Sequence, residues 1–207
     1  MARLYAGGAG SASTAAPLNA CAGPFTVVGW CAPANITDTT GSLIRAVSGG
    51  SSWRVRADAG AAAISFEKTG GSGGNPATSS QIAFTAADLG GFWWAYRYTG
   101  VEWSAWKNGV KSVINASITF VLPGVTSSTV GAAFNGSLAE ISAWTVALSD
   151  AEITELHKLG ASADQFGSTT VGRVVYWPLR GNSSPEPDYF AAAFPGTTAL
   201  TLDAETK

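Results

Sequence analysis

Few side chains in this sequence could do nucleophilic or metal chemistry. His157 is the only histidine among 207 residues, and Cys21 and Cys31 are the only cysteines. A nucleophilic triad needs a base beside its nucleophile, and a tetrahedral zinc site needs four ligands. His157 is predicted instead to lie near the end of a helix, where a cation meets the negative end of the helix dipole. We therefore expect neither a triad nor a zinc site.

The two cysteines are predicted to be free thiols. Cys21 and Cys31 bracket the run AGPFTVVGW, most of which is predicted to form one strand. Across an extended run their Cα atoms would lie roughly 25–33 Å apart, at about 3.3 Å per residue. A disulfide needs about 4.4–6.8 Å, so the spacing disfavours one unless a hairpin folds between the two residues.

Aromatic residues are concentrated in one predicted hairpin, in which Phe92–Tyr98 and Val101–Lys107 are joined across Thr99-Gly100. Successive side chains of a strand point to opposite faces, so both faces of this hairpin carry large aromatics. In the first strand Phe92, Trp94, Tyr96 and Tyr98 share one face, and Trp93, Ala95 and Arg97 share the other. In the second strand Val101, Trp103 and Ala105 share one face, and Glu102, Ser104 and Trp106 share the other.

Two interpretations of these aromatics remain open. In one, both faces are buried, the first in the core and the second under a loop. In the other, one face is an exposed platform that stacks on sugar rings or anchors a protein interface, with Trp53 and Trp103 near loop tips. Arg97 and Glu102 then either pair with each other or hydrogen-bond to ligand hydroxyls. The predicted ligand-binding residues are Trp53, Trp93, Arg97, Glu102, Trp103 and Trp106.

The run NGSLAEISAWTVALSDAEITELHKLG (135–160) predicts a strand followed by the clearest helix of the chain. Ser149 is the predicted N-cap, and Glu152, three residues on, completes a capping box. Leu148 and Ile153 are spaced as a hydrophobic staple, which fixes the angle at which the chain enters the helix. Gly160 fits the left-handed position that ends a helix, so the helix is predicted near 150–159.

The remaining pattern predicts an antiparallel sandwich or barrel, because many short strand-like runs recur at roughly 8–12-residue spacing. Apolar residues make up 46% of the chain, so two packed sheets are expected to cover them. Thr69–Ser80 is predicted to be a flexible loop within one domain that spans residues 1–207. Residues 180–207 either extend along the sandwich or a neighbouring copy, or end in a short strand at Ala199–Leu202.

The charge pattern argues against nucleic acid as a partner. Twelve basic residues face fourteen acidic ones, and no basic run occurs that could line a phosphate-binding groove. No segment approaches about 18 continuous apolar residues, so membrane insertion is not expected. The N-terminus lacks an apolar h-region and does not predict a secretory signal, so the protein is expected to be cytosolic, assembled in the cytosol or exported by another route.

Several motifs occur in an order that resembles a known family. The early strand FTVVGWCAP (25–33), the aromatic hairpin and the late strand VYWPL (175–179) surround a strand-plus-helix signature. The order resembles the laminin-G-like, concanavalin A-like jelly-roll domains found in phage virion proteins. It implies an all-β, two-sheet antiparallel jelly-roll sandwich. The residues that match the signature are Gly136, Leu138, Glu140, Ile141, Trp144, Ala147, Leu148, Ser149, Glu152 and Ile153.

Departures from the family pattern bear on metal binding. The family often has two acidic residues where this chain has Ala139-Glu140, and an Asp where this chain has Thr99. Its first strand often ends in Asp-Gly, where this chain has Gly7-Gly8. Because those acids help bind calcium in some members, a calcium site is not supported here and no cofactor is predicted.

The resemblance implies a non-catalytic structural or binding module, most simply a phage virion surface protein that binds host glycans. As a capsid decoration or tail-associated protein it would be assembled in the host cytoplasm and located on the virion surface. Its expected partners are other virion proteins, further copies of itself and cell-surface carbohydrate. A free carbohydrate-binding lectin is the first alternative.

A glycoside hydrolase is the second alternative, since the concanavalin A-like fold includes such enzymes. Their chemistry needs two carboxylates about 5–9.5 Å apart, and retaining members of this fold carry them on one strand as E-x-D-x-E. Glu140 stands alone on its predicted strand, and Glu152 belongs to the helix cap. No catalytic residue is therefore predicted, and the chain is not expected to be an enzyme.

Overall fold

The computed structural model describes residues 3–6, 11–13, 18, 21, 23–37, 41–58, 60–73, 81–159, 171–179 and 201–202. These residues form sixteen strands, one α-helix and a short 3-10 helix at Ala86–Asp88. The helix, α1, is Asp150–Leu159. The strands are β1 (Arg3–Ala6), β2 (Ser11–Ser13), β3 (Phe25–Pro33), β4 (Gly41–Ser48), β5 (Ser51–Asp58), β6 (Ala63–Thr69), β7 (Ser72–Gly73), β8 (Gln81–Ala83), β9 (Phe92–Tyr98), β10 (Trp103–Lys107), β11 (Val110–Asn115), β12 (Phe120–Val121), β13 (Ser127–Val130), β14 (Asn135–Trp144), β15 (Arg173–Trp177) and β16 (Thr201–Leu202).

Two seven-stranded antiparallel sheets make the sandwich. Sheet A has the order β1-β14-β3-β9-β10-β11, with β15 also paired to β14. Sheet B has the order β16-β2-β13-β4-β5-β6-β8, and β12 and β7 form a separate two-stranded sheet. The predicted all-β sandwich of two antiparallel sheets with one short helix is therefore confirmed.

Aromatic side chains fill the space between the two sheets. Trp103 lies 4.8 Å from Phe66 and stacks on Tyr96 at 5.4 Å between ring centroids. Tyr98 stacks on Phe120 at 4.0 Å, beside the same cluster. Contacts of this kind add about 0.5–1.5 kcal/mol per pair beyond the burial of their area. The aromatic hairpin of the sequence is thus the centre of the core.

Helix α1 covers the outer face of sheet A. Its Ile153 and Leu156 are buried against the sheet, in a second apolar cluster that includes Trp93 and Trp106. The predicted capping box is confirmed, because the Ser149 amide and hydroxyl both donate to Glu152 Oε2 at 2.7 Å. The Glu152 amide donates in turn to Ser149 Oγ at 3.2 Å. Gly160, the predicted C-terminal cap, lies outside the described residues.

The predicted loop Thr69–Ser80 is in part a strand. β7 pairs with β12, placing Ser72 opposite Val121 and Gly73 opposite Phe120. Gly73 has a φ of +80°, and a Cβ there would collide with the carbonyl oxygen of Thr119. Glycine is needed here for close approach as well as for turning. Residues 74–80 lie outside the described part of the chain.

The remaining predictions for the scaffold have mixed outcomes. Cys21 and Cys31 are free and buried, as expected, and burial raises the pKa of Cys21 to about 12. Within 180–207 the structure describes only Thr201–Leu202, which pairs with β2 and lies inside the predicted strand at Ala199–Leu202. Across the described ranges, no helix has the length and apolar character that crossing a membrane requires.

Candidate functional site

The four tryptophans of the predicted ligand site are closed off from solvent. Trp53 and Trp103 lie near turns, at the starts of β5 and β10, but both are fully buried between the sheets and form no exposed platform. The strand alternation that points Trp53 inward stacks it on Phe66 at 5.7 Å. Trp93 and Trp106 are each 2% exposed beneath α1, so they form no exposed platform either. Both faces of the hairpin are buried, with a helix rather than a loop over the outer one.

Arg97 and Glu102 pair with each other, as one of the sequence interpretations predicted. The Arg97 Nη2 group donates to Glu102 Oε1 at 3.0 Å. Its Nη1 group donates to Asp150 Oδ1 at 2.5 Å and to the Leu148 carbonyl oxygen at 2.9 Å. The guanidinium carbon lies 4.8 Å from the centre of the Trp106 ring. These contacts direct Arg97 toward the first turn of α1 rather than toward a ligand.

Lys111 completes a charge network at the same place. Its Nζ lies 3.2 Å from Glu102 Oε1 and 3.1 Å from Asp150 Oδ2. Hydrogen bonds from Ser104, Lys111 and Arg97 lower the pKa of Glu102 from 4.5 to about 2. Partial burial raises the pKa of Asp150, but hydrogen bonds from Lys111 and Arg97 outweigh it and lower the pKa overall. Both groups are carboxylates at neutral pH, and neither resembles the raised-pKa acid of a glycosidase.

Glu140 lies apart from this network and is fully buried. It sits at a register shift in β14, with a φ of +55°. The hydroxyl of Tyr176 donates to Glu140 Oε2 at 2.6 Å. Glu140 is thus a hydrogen-bonded carboxyl inside the protein. Among the described residues no three His, Cys, Asp or Glu side chains are grouped as a metal site would require.

The outer face of sheet B is polar. Along β5, alternate residues point into the core and out to solvent, so Trp53 and Val55 are buried while Arg54 and Arg56 are only half-buried. The α-helix of the described residues packs on sheet A and not on this face. The face is therefore partly accessible, in contrast to the aromatic hairpin.

Strand register aligns four polar residues into a row across this face. Thr129 of β13 is opposite Arg45 of β4, and Arg45 is opposite Arg54 of β5. Arg54 is opposite Glu67 of β6. Neighbouring strands are about 4.8 Å apart, so the row is about 14 Å long. We call these four residues the arginine row.

Ion pairs hold two of the four residues of this row, Arg54 and Glu67, in place. Arg54 donates to Glu67 Oε2 from Nε at 2.9 Å and from Nη2 at 2.8 Å. Arg56 Nε lies 3.1 Å from Glu67 Oε1, and Arg56 also hydrogen-bonds to Asp58, which lowers the pKa of that carboxyl. Arg45 is exposed and forms no ion pair or hydrogen bond with any described residue. Its donors are available to a ligand.

None of the arginine row is among the predicted ligand-binding residues. The signal for it was present, because SSWRVRAD (51–58) has the period-two pattern of a half-buried strand. That pattern places Trp53 inside and Arg54 and Arg56 outside, which is the arrangement observed. The alignment of Arg45 and Thr129 with them depends on strand register and has no local signal.

No family model and no curated protein matches the sequence. Solved structures do match. Domain 4 of AbnA, a GH43 extracellular arabinanase from Geobacillus stearothermophilus in complex with arabinotriose, has a TM-score of 0.52 and 14% identity over 66% of this chain and 67% of that one. A Trypanosoma rangeli sialidase in complex with the inhibitor DANA has a TM-score of 0.51 and 14% identity over 75% of this chain and 27% of the sialidase.

The binding domain of Botulinum neurotoxin DC in complex with rat synaptotagmin II also matches, with a TM-score of 0.49 and 13% identity over 68% of this chain. The chain spans 37% of that domain's length, and under a third of the sialidase. At such identities the likeness concerns the fold alone. The matches to the arabinanase domain and the sialidase agree with the two-sheet β-sandwich described above.

Proposed function

We propose that this chain is a non-catalytic glycan-binding module whose binding surface is the arginine row of sheet B. The observation that carries the proposal is Arg45, an exposed guanidinium with no described partner, aligned with Arg54 and Glu67. Guanidinium groups donate hydrogen bonds, carboxylates accept them and the Thr129 hydroxyl does both. Together they can complement the hydroxyl groups of a sugar chain.

The part of the row beside Arg45 is preorganised for binding. The bidentate contact between Arg54 and Glu67, and the further contact from Arg56, fix three long side chains before any ligand arrives. Ordering a flexible side chain on binding costs about 0.5–1.5 kcal/mol, and much of that cost is already met here. The fold likeness to an arabinanase domain bound to arabinotriose supports a carbohydrate ligand.

Binding without hydrolysis is supported by the state of the carboxyl groups. Glu102 and Asp150 have lowered pKa values and are engaged by Arg97 and Lys111, while Glu140 is buried against Tyr176. A glycoside hydrolase remains the alternative. Incubation with polysaccharides is expected to release no reducing ends. Release that disappears in Glu140→Gln would contradict a non-catalytic module.

The binding test is a glycan array on the wild type, in calcium and without it. Arg45→Ala is expected to weaken binding to any positive glycan by about tenfold to a hundredfold, since one hydrogen bond to a charged group contributes about 1.5–3 kcal/mol. Lys158→Ala is the matched control, because Lys158 is an exposed cation on α1. The proposal fails if the wild type binds no glycan, or if both variants bind as the wild type does.

We further propose that the module acts on the surface of a phage particle, as a capsid decoration or tail-associated protein. The order of sequence motifs from Phe25 to Leu179 supports this setting, as does the low content of charged residues, 13%. A free lectin would use the same face and is the alternative. Sedimentation of virus particles from the source separates the two, because only a virion protein is recovered with the particles.

A further inference from the structure

The strand β11 (Val110–Asn115) ends sheet A, and no described strand pairs with its outer side. Val110 is 70% exposed and Val113 is 52% exposed, so the strand presents apolar groups to solvent on both of its faces. An edge strand of this kind carries a row of unpaired backbone N–H and C=O groups, which is a template for pairing with another chain.

Apart from a register shift against β10 at Ile114, the usual protection of an edge is missing from β11. Natural proteins guard such strands with proline or with charged side chains that extend past the edge. β11 has no proline, and its only charged residue is Lys111. The ammonium of Lys111 is turned back onto its own sheet, toward Glu102 and Asp150 and within 5.5 Å of the Trp106 ring centre. The edge is left open to a partner strand.

We infer that this chain self-associates through β11. The β11 strands of two copies pair antiparallel, and the two-fold axis that relates the copies passes between their two Ser112 residues. Residues that face each other in such a ladder must point to the same side of the sheet. The pairing of β11 with β10 puts Lys111 and Val113 on the side of Trp106 and Ser104, and Val110 on the other. A register shift leaves Ile114 without a partner in β10, but its side chain packs against the core between the sheets, on the side of Val110.

A register centred on Ser112 satisfies this condition and fits the side chains. Val110 of each copy lies opposite Ile114 of the other, which gives two apolar pairs on one side of the sheet. Lys111 lies opposite Val113, so the aliphatic part of the lysine covers the valine and no like charges meet. A register centred on Lys111 would oppose two ammonium groups. One centred on Val113 would place Ser112 against Ile114 and leave Val110 outside.

The symmetry has a consequence for binding. Because the two-fold axis is perpendicular to sheet A, the outer faces of sheet B point in the same direction in both copies. The two arginine rows would then lie on one side of the dimer. Two sites that engage one glycan-bearing surface gain avidity without any new contact.

The oligomeric state tests the inference directly. Light scattering after size exclusion is expected to show the mass of the full chain rising from 21.1 kDa toward twice that value as concentration increases. Val113→Lys is expected to remain monomeric, because the new lysine of each copy would lie opposite Lys111 of the other copy. Val171→Lys is the matched control. Val171 is 78% exposed and precedes β15, which pairs with β14 and is separated from β11 by several strands of sheet A. This variant should still dimerise.

A cross-link tests the register. Ser112→Cys places two thiols opposite each other on the axis, within the Cα range of about 4.4–6.8 Å that a disulfide needs. Mild oxidation is expected to convert this variant to a covalent dimer. Ser117→Cys, an exposed site past the end of β11, should stay monomeric under the same conditions. Cys21 and Cys31 are buried, with raised pKa values, and do not compete.

Each possible result of these experiments either supports the inference or overturns it. Concentration-dependent dimerisation that is lost in Val113→Lys and kept in Val171→Lys supports the inference, as does cross-linking specific to Ser112→Cys. A wild type of 21.1 kDa at every concentration overturns it. So does a dimer that Val113→Lys leaves intact, or equal cross-linking of Ser112→Cys and Ser117→Cys. A near-ultraviolet circular dichroism spectrum like that of the wild type shows that Val113→Lys is folded.

Discussion

The outer faces of the two sheets carry arginines that differ in burial. On sheet A, Arg97 is buried under the start of α1, stacked on Trp106 and bonded to Asp150 and Glu102. On sheet B, Arg45 is exposed, and Arg54 and Arg56 are only half-buried. One face uses its guanidinium to attach a helix, and the other leaves guanidinium donors near solvent. The number of aromatic residues on a face therefore says little about whether that face binds ligands.

The difference follows from the groups that surround each guanidinium in the folded protein, which are protein acceptors around Arg97 and partly water around Arg54. The Leu148 carbonyl and the carboxylates of Glu102 and Asp150 compensate for the desolvation of Arg97, so removal of Arg97 leaves the buried Leu148 carbonyl without this donor. The guanidinium of Arg54 remains partly hydrated, so its loss is largely repaired by water. The two faces should respond very differently to the same substitution.

The largest effect is expected for Arg97→Ala. Loss of the buried hydrogen bond to Leu148 and of the stacking on Trp106 should lower the free energy of unfolding by about 2–4 kcal/mol. Arg54→Ala is the matched variant on sheet B and should cost about 1 kcal/mol or less. Denaturant titration of both variants measures the contrast. Equal losses would show that the two faces do not differ in the way described.

A smaller loss is expected on acidification. The pKa of Glu102 is lowered in the folded state from 4.5 to about 2, so its contribution is fully present above about pH 4.5 and is lost as the pH falls toward 2. The free energy of unfolding should thus be insensitive to Glu102 between pH 7 and 5. Glu102→Gln should flatten the decline below pH 4.5.

Other carboxyls contribute to the same decline. The carboxyls of Asp150, Asp58 and Asp88 also have lowered pKa values. The Glu102→Gln variant should therefore still lose part of its free energy of unfolding as the pH falls. A variant with the full wild-type slope would contradict a role for Glu102 in acid stability. Stability measured at fixed ionic strength removes the effect of salt screening on the exposed pairs.

A smaller loss in the free energy of unfolding is expected for Ser149→Ala, which removes one half of the capping box of α1. The loss should be about 1 kcal/mol, the usual cost of replacing a serine N-cap by alanine. Ser117→Ala, at an exposed turn, should change the free energy of unfolding by less than about 0.5 kcal/mol. If both variants are equally stable, the cap does not help to hold the helix over Trp93 and Trp106.

Local signals in the sequence predicted the helix and the two faces of the hairpin correctly. Ser149, Glu152 and Ile153 define the start of α1 through contacts within one turn, which a sequence shows directly. The alternation in β9 likewise separates Trp93 from Trp94. Fold class followed from the same kind of evidence, because strand length and spacing are local properties.

Exposure could not be predicted in the same way. Trp106 is buried because α1 packs over it and Arg97 crosses its ring, and both contacts join residues distant in sequence. The arginine row needs the register of four strands, and the bulge that gives Glu140 a positive φ has no mark in the sequence. A tryptophan in a strand indicates a large buried area more often than a ligand site.

The smallest effect on stability is expected at Arg45, where the comparison of the two faces is sharpest. Arg45→Ala removes an exposed side chain with no described partner, so the free energy of unfolding should change by less than about 0.5 kcal/mol. Glycan binding should fall in the same variant, which separates the two readouts. If denaturant titration instead shows a loss like that of Ser149→Ala, Arg45 stabilises the sheet. The arginine row would then stabilise the fold, as the contacts of Arg97 do, and the proposal that the outer face of sheet B is the binding surface would be contradicted.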